Sequence, residues 1–472
     1  MKGSRLAVLL LLALALRAVA VFCSRGYEFV DQQFQYVDPA WGLATKDAWW
    51  QSWEWKEGIR SWAYPGMLAG VFEVGLALGV RDPQALMVFV RGVHALVSLL
   101  PIAALWLVLA RWRNEPRAGT GVLLAAASFV LVYAGVQPSG LAFAVGFSVA
   151  SVLLFHGHNA WPFLSGICLG IAFACRFQDA MLGPVLFVCG LAQRRWRACL
   201  WLCAGSAVPV VAQGLLDVAT WGSFLHSAFA YVRVNVFEGK SAEFGTSPAW
   251  TYAGILAAVF LPVVPEAWRI FVAGTRAVPV PMICGLSYVL LHTFIARRQM
   301  RFVLPGIALL QIVWIVGYLR TTPKDRVSLW YRRVVLYGHA LALVLASVWY
   351  FHRGPIEAAL VLRREPNYVG NLLAVGMGGE GIGGAYWLGR RQLELEYLLE
   401  RKQLASHLRA RPGPWPIAML VKGDPLAPGE LGPGFSAREL ARTADWPDWR
   451  AGSRRQVLLV GRERGGESRE GK

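Results

Sequence analysis

Eleven apolar stretches, most of them close to the roughly 20 helical residues that cross a bilayer's hydrocarbon core, run through the first 352 of the chain's 472 residues. After a first stretch ending at Phe22 they fall near 84–110, 119–135, 139–157, 160–176, 180–193, 197–219, 249–266, 272–295, 302–319 and 333–352. Lipid offers no partner to backbone N–H and C=O groups, so such segments must be helices. The prediction is an all-α polytopic membrane protein. With 56% hydrophobic and 16% charged residues, the chain has too little polar surface to clothe a soluble fold of this length. Met1 to Arg5 followed by Leu6–Leu16 and Ala18-Val19-Ala20 also fits a signal peptide. Arg17 interrupts that cleavage region, and the apolar run continues through Phe22, which favours a retained first helix.

Charge sets the orientation, because Lys and Arg mark cytoplasmic loops. Tyr64–Val80 is a twelfth apolar candidate, but it carries Glu73. If it does not cross, the loops Arg111-Trp112-Arg113…Arg117, Arg194-Arg195-Trp196-Arg197 and Arg320…Lys324…Arg326…Arg332-Arg333 share the cytoplasmic side. Residues 64–80 therefore read as a helix lying along the membrane. A large loop, 23–83, then faces outward, together with 220–248, the connection Arg297-Arg298-Gln299-Met300-Arg301 and everything after Phe351. The excess of 47 Lys and Arg over 29 Asp and Glu, +18 in all, is assigned to cytoplasmic loops and headgroups rather than to nucleic acid. Seven cysteines sit almost entirely in apolar runs without CxxC spacing, and neither disulfides nor zinc are indicated.

The organisation expected is a membrane domain over 1–352, a connection over 353–384 and a small outward α/β domain over 385–472. That last part should contain a helix over Arg390–Arg411 and strands at Pro416–Val421 and Gln456–Val460. A second helix should begin at the capping box Ser436-Ala437-Arg438-Glu439. Gly378-Gly379-Glu380-Gly381 lacks the Lys-Ser/Thr of a phosphate-binding loop and reads as a flexible connection.

Among chemistry-bearing residues, the first outer loop gathers Glu28, Asp31, Asp38, Asp47, Glu54 and Glu57 with Arg60, amid the aromatic run Trp49-Trp50-Gln51-Ser52-Trp53-Glu54-Trp55. An acid in such a loop can take a proton from an acceptor as a general base, and arginines can steady a departing phosphate without metal. Asp31, just outside the first helix, is the best-placed carboxylate, its plainer reading being a solvated loop acid. The tryptophans read either as headgroup-level anchors or as faces for sugar rings.

Four blocks, in order, resemble glycosyltransferase family 22. They are Asp31-Gln32-Gln33-Phe34-Gln35 with Asp38; Trp53-Glu54-Trp55, Ile59-Arg60-Ser61 and Tyr64-Pro65; Asp217 before Trp221-Gly222, with Val234-Asn235-Val236 through Phe244-Gly245-Thr246-Ser247-Pro248-Ala249-Trp250-Thr251-Tyr252; and Arg297-Arg298-Gln299-Met300-Arg301-Phe302-Val303-Leu304-Pro305. The resemblance spans about 25–310. It implies the GT-C fold, an outward active site, a polyprenyl-phosphate-linked mannosyl or hexosyl donor, a lipid-linked glycan acceptor, and no cofactor. It implies Asp31 as the catalytic base, Arg301, Arg298, Arg60 and Arg297 at the donor phosphate or sugar, and Gln35, Asp38, Trp53, Glu54, Trp55 and Asp217 at the acceptor or sugar. Departures from the family pattern are Gln32 and Gln299 in place of Glu, Arg297 and Ser247 in place of His, and Trp41 near a usual His. These bear on sugar and acceptor more than on the type of reaction, since inversion needs only one base.

Arg176 and Asp179, at an outer helix connection, are either a simple pair or functional charges. Arg91 and His94 are either internal packing or donor contacts, and Asp217 has Arg233 as a structural partner within reach. Two competing readings stay open: a transporter of lipid-linked sugars, which internal repeats would support and none are visible, and a non-catalytic glycan binder, supported by Gln32 and Gln299. Short cytoplasmic loops and divergence from the eukaryotic signatures point to a bacterial cell membrane with a periplasmic site, the endoplasmic reticulum being the alternative.

Overall fold

The computed structural model describes residues 2–27, 29–111, 115–157, 161–262, 264–368, 371–377, 382–389, 394–427, 429–444 and 454–462. The chain divides into two compact units. One comprises 1–24, 53–65 and 87–349, and the other 25–52, 66–86 and 350–472.

Among the described residues five helices are long and apolar enough to cross a membrane: Ser4–Cys23, Pro83–Leu109, Gly140–Gly157, Trp196–Trp221 and Met300–Arg320. Each coincides with an apolar stretch of the sequence. The last is the innermost, with 89% of its apolar window buried, against 28% for Ser4–Cys23 and for Trp196–Trp221. Those two present large apolar side chains outward, among them Leu11, Phe22, Leu200, Trp201, Val211 and Leu215, where lipid would meet them. Shorter apolar helices fill the rest, including Pro162–Cys175 and Pro279–His292. Pro162–Cys175 lies hard against Trp196–Trp221. A Cβ on Gly166 would come within 2.2 Å of the Leu202 carbonyl oxygen, so close backbone approach through small residues supplies the packing here.

Hydropathy misses the breaks. The window 119–135 is divided into Glu115–Ala126 and Phe129–Ala134, because Ser128 turns out of the helix and its Oγ accepts the Leu131 N–H while donating to Gln311 Oε1 at 2.6 Å. Two windows over 249–295 become three helices, Thr251–Phe260, Pro265–Ala277 and Pro279–His292. Pro265 and Pro279 each open a helix, where the missing N–H does no harm. Residues 64–80 form the helix Ala63–Ala77, 15 residues long and too short to span.

In the second unit β1 (Arg25–Gly26) pairs in parallel with β2 (Tyr350–Phe351). Further strands are β3 (Asn371–Val375), β4 (Glu394–Leu398), β5 (Ile417–Lys422), β6 (Phe435–Ala444) and β7 (Arg454–Arg462), and they form one mixed sheet of order β4-β3-β5-β7-β6. Leu373, Val375, Met419, Val421, Leu458 and Val460 make its core, joined by Leu404 and Leu408 of the short helix Leu404–Ala410.

The strands expected at 416–421 and 456–460 lie in β5 and β7. The two expected helices need correction. Arg390–Arg411 holds β4 before the short α-helix Leu404–Ala410, with 390–393 outside the described residues, since Glu394-Leu395-Glu396-Tyr397-Leu398 alternates with a strand's period of two. Ser436–Glu439 lies in β6, a sheet edge whose Arg438, Glu439 and Arg442 point to solvent, as edge strands commonly require. A four-residue capping pattern is too local to outweigh nine residues of antiparallel pairing with β7. The Gly378–Gly381 connection and Glu28 lie outside the described residues.

Candidate active site

Asp31 stands half-buried on a helical stretch over 30–45 that begins as an α turn, Val30–Gln32. It widens to a π turn at Gln33–Val37 and closes as the α-helix Asp38–Thr45. A π turn adds a residue to the helical repeat and re-aims the side chains before it, which is why such turns gather at functional sites. Gln35 is buried within the turn.

Asp38 fastens this stretch from behind. It is fully buried, and its carboxylate accepts from Gln33 Nε2 at 2.7 Å and from the backbone N–H groups of Ala385 and Tyr386 at 2.9 and 3.0 Å. Gln33 in turn takes the Trp387 Nε1–H at 3.0 Å. Gly384 makes the approach possible: its φ is +85°, and a Cβ there would lie 2.7 Å from Asp38 Oδ2. Asp38, singled out for sugar contact, therefore has its oxygens turned to protein donors.

Burial pushes the Asp38 carboxyl up to about 6, against the hydrogen bonds from Tyr386, Ala385 and Gln33, which favour the ionised form. Between pH 3.8 and about 6 the folded chain holds the proton more tightly than the unfolded one. Stability from this group is thus complete at the acid end and lost as pH rises through about 6. Asp38→Asn removes the titration, so the wild-type melting temperature should fall relative to the variant's between about pH 4 and pH 7. A difference that stays constant over that range would refute the assignment.

In the first unit, Glu54 is buried and its carboxylate stands 3.9 Å from the Arg60 guanidinium, which lies 6.0 Å from the Tyr231 ring centre. The Arg60-Ser61 segment is tied to the helix Trp196–Trp221 twice: Trp221 Nε1 donates to the Arg60 carbonyl at 3.1 Å, and Ser61 Oγ to Gln213 Oε1 at 2.7 Å. Trp55 is only 3% exposed and packs between Trp62 and Trp221, so it builds the floor of this region. Trp53 is half-buried and carries the Lys240 ammonium 4.9 Å from its ring centre. Asp217 is fully buried and accepts from Ser227 N–H and Oγ and from Gln213 Nε2, at 2.9, 2.6 and 2.8 Å. Arg233, the alternative structural partner for it, pairs with Glu238.

The basic connection has two kinds of arginine. Arg298 donates from Nε and Nη2 to the Thr293 carbonyl at 3.0 and 2.6 Å and from Nη1 to the carbonyls of Ser247 and Ala296, the latter at 3.3 Å. Most of its five N–H groups are engaged, and it staples the loop to 247. Arg301 is buried on the 3-10 turn Met300–Val303, its guanidinium 4.9 Å from the Phe302 ring centre. Arg297 is half-buried. Arg176 and Asp179 do lie together, at 3.7 Å. Arg91 donates to the Ser24 carbonyl, and His94 meets Tyr64 Oη at 3.0 Å, both internal contacts. Among the described residues no three His, Cys, Asp or Glu side chains gather as a metal site would require.

Residues 8–364 match the Alg9-like mannosyltransferase family. The GPI mannosyltransferase 3 of Yarrowia lipolytica is 23% identical over 388 residues, which cover 77% of this chain and 72% of that protein. That of Drosophila melanogaster is 23% identical over 384 residues, 76% of this chain and 65% of its own length. A probable Dol-P-Man:Man(7)GlcNAc(2)-PP-Dol alpha-1,6-mannosyltransferase of Schizosaccharomyces pombe is 26% identical over 190 residues, 39% of this chain and 35% of that one. Among solved structures, ArnT from Cupriavidus metallidurans bound to undecaprenyl phosphate superposes with a TM-score of 0.62 at 15% identity, covering 96% of this chain and 97% of its own. The Archaeoglobus fulgidus oligosaccharyltransferase AglB, in complex with an inhibitory peptide and a dolichol-phosphate, reaches 0.52 at 11%, covering 89% and 69%. These likenesses show the GT-C fold.

Proposed function

Because this chain belongs to the Alg9-like mannosyltransferase family, we propose that it moves a mannosyl residue, with inversion, from a polyprenyl-phosphate donor to a lipid-linked glycan. It is an integral membrane glycosyltransferase. Membership favours an enzyme over the transporter and the non-catalytic binder. The observation that carries the reading is the family match across 8–364, which contains both the Asp31 turn and the Arg301 turn. The names of the relatives, including a Dol-P-Man transferase, support the donor and acceptor classes.

In this reading the Asp31 carboxylate takes the proton of an acceptor hydroxyl as its oxygen bonds to the anomeric carbon. The bond from that carbon to the phosphate oxygen breaks, and the pair leaves with the polyprenyl phosphate. A phosphate leaves without needing a proton, so one base suffices, and Arg301 with Arg60 would stabilise the rising charge. Arg297, in the same basic connection as Arg301, would join them, and Trp53 and Glu54 would face the sugar or the acceptor. We assign the bilayer to a bacterial cell membrane with the site on its outer side, supported by the short basic loops.

The test is incorporation of radiolabelled mannose from synthetic polyprenyl-phosphate-mannose into membrane lipids by the purified protein. Incorporation dependent on the protein is expected. Transfer from another carrier-linked sugar but not from this one would overturn mannose, and transfer from none would overturn the function.

A further inference from the structure

Arg176 and Asp179 lie in none of the motif blocks, yet their side chains are 4% and 0% exposed. Ions so deeply placed are costly unless several donors and acceptors meet them. Asp179 is met by Ser148 Oγ at 2.6 Å, by the Tyr288 hydroxyl and by the Arg176 guanidinium at 3.7 Å. Arg176 follows the helix Pro162–Cys175 in extended conformation, and its Nη2 reaches across 126 positions of sequence to donate to the Phe302 carbonyl at 2.9 Å. Phe302 sits on the same 3-10 turn as Arg301, whose guanidinium rests 4.9 Å from its ring centre. One arginine thus grips the backbone of the turn, and the ring on that turn underlies the other arginine.

We propose that Arg176, oriented by Asp179, is a positioning residue for Arg301 and thereby sets the affinity for the donor's phosphate. This rests on the reading of Arg301 as a phosphate ligand. A planar guanidinium can hold a carboxylate and a carbonyl at once, which the point charge of lysine on a shorter stem does not reproduce.

The experiment compares wild type, Arg176→Lys, Asp179→Asn, the double variant and Arg301→Gln. The readouts are KM and kcat for polyprenyl-phosphate-mannose, the Kd for undecaprenyl phosphate, and the melting temperature in detergent. Arg176→Lys should raise KM and Kd about tenfold, the worth of one hydrogen bond to a charged group, with kcat within about twofold. Asp179→Asn should move the same two constants, and the double variant should be no worse than Arg176→Lys, because both act through one turn. If Arg176→Lys cannot be recovered folded, Asp179→Asn makes the same comparison. A purely structural role would lower the active fraction, hence kcat, at constant KM, and that result would overturn the proposal. Raised Kd in Arg301→Gln with unchanged Kd in the Arg176 and Asp179 variants would overturn positioning alone. Unchanged Kd in Arg301→Gln would overturn the reading of Arg301 and the proposal with it.

Discussion

Asp31→Asn is expected to lower kcat by about three orders of magnitude, the middle of the range that general base catalysis contributes. The substitution is nearly isosteric, so the turn Val30–Gln32 should survive and the melting temperature should hardly move. Donor binding should survive too, because it is assigned to arginines. No other acid stands within the Asp31-Gln32-Gln33-Phe34-Gln35 block to take over. Asp38, the next one along, has its oxygens occupied by Gln33, Ala385 and Tyr386. Steady-state transfer with labelled donor reads the effect directly, and activity equal to wild type would remove Asp31 as the base.

Arg301→Gln is the second large effect. Loss of a buried guanidinium from a phosphate costs on the order of 2–3 kcal/mol, or roughly 30- to 150-fold in kcat/KM. Glutamine keeps hydrogen-bonding capacity but not charge, so the loss should appear mostly in KM for the lipid donor. Arg298→Gln offers a contrast. That side chain is engaged with the carbonyls of Thr293, Ser247 and Ala296, so its loss should register as a lower melting temperature, with donor KM following only as the loop loosens. Comparable KM effects without any loss of stability would mean that Arg298 touches the donor after all.

Much of this arrangement was legible in the sequence, because its carriers are local. Apolar runs mark helices, and the spacing of Trp53, Glu54, Arg60 and Arg301 among fixed neighbours marks a family. What escaped depends on distant partners. Asp38 reads as an acceptor or sugar contact in the sequence, and nothing there shows the backbone of Ala385 and Tyr386 that closes on it from 347 and 348 positions away. Asp217 reads as an acceptor or sugar contact with Arg233 as the structural alternative, and Ser227, ten positions on, meets it with a hydroxyl and an N–H that carry no charge signal. β6 was hidden by a capping pattern inside an edge strand rich in charge, and β4 by its acidic residues.

The long closure at Asp38 also sets an order of events during biosynthesis. Gln33 and Asp38 are made long before Gly384, Ala385, Tyr386 and Trp387, which close on them and which follow all five of the long apolar helices among the described residues. At chain elongation rates of about 5–20 residues per second, the intervening span takes tens of seconds. Through that interval Asp38 and Gln33 lack the backbone and indole donors that satisfy them in the folded chain. The stretch around Asp38 therefore closes late, once residues 384–387 have been made, and a chain ending before them should leave that stretch more open to protease than the full-length protein does.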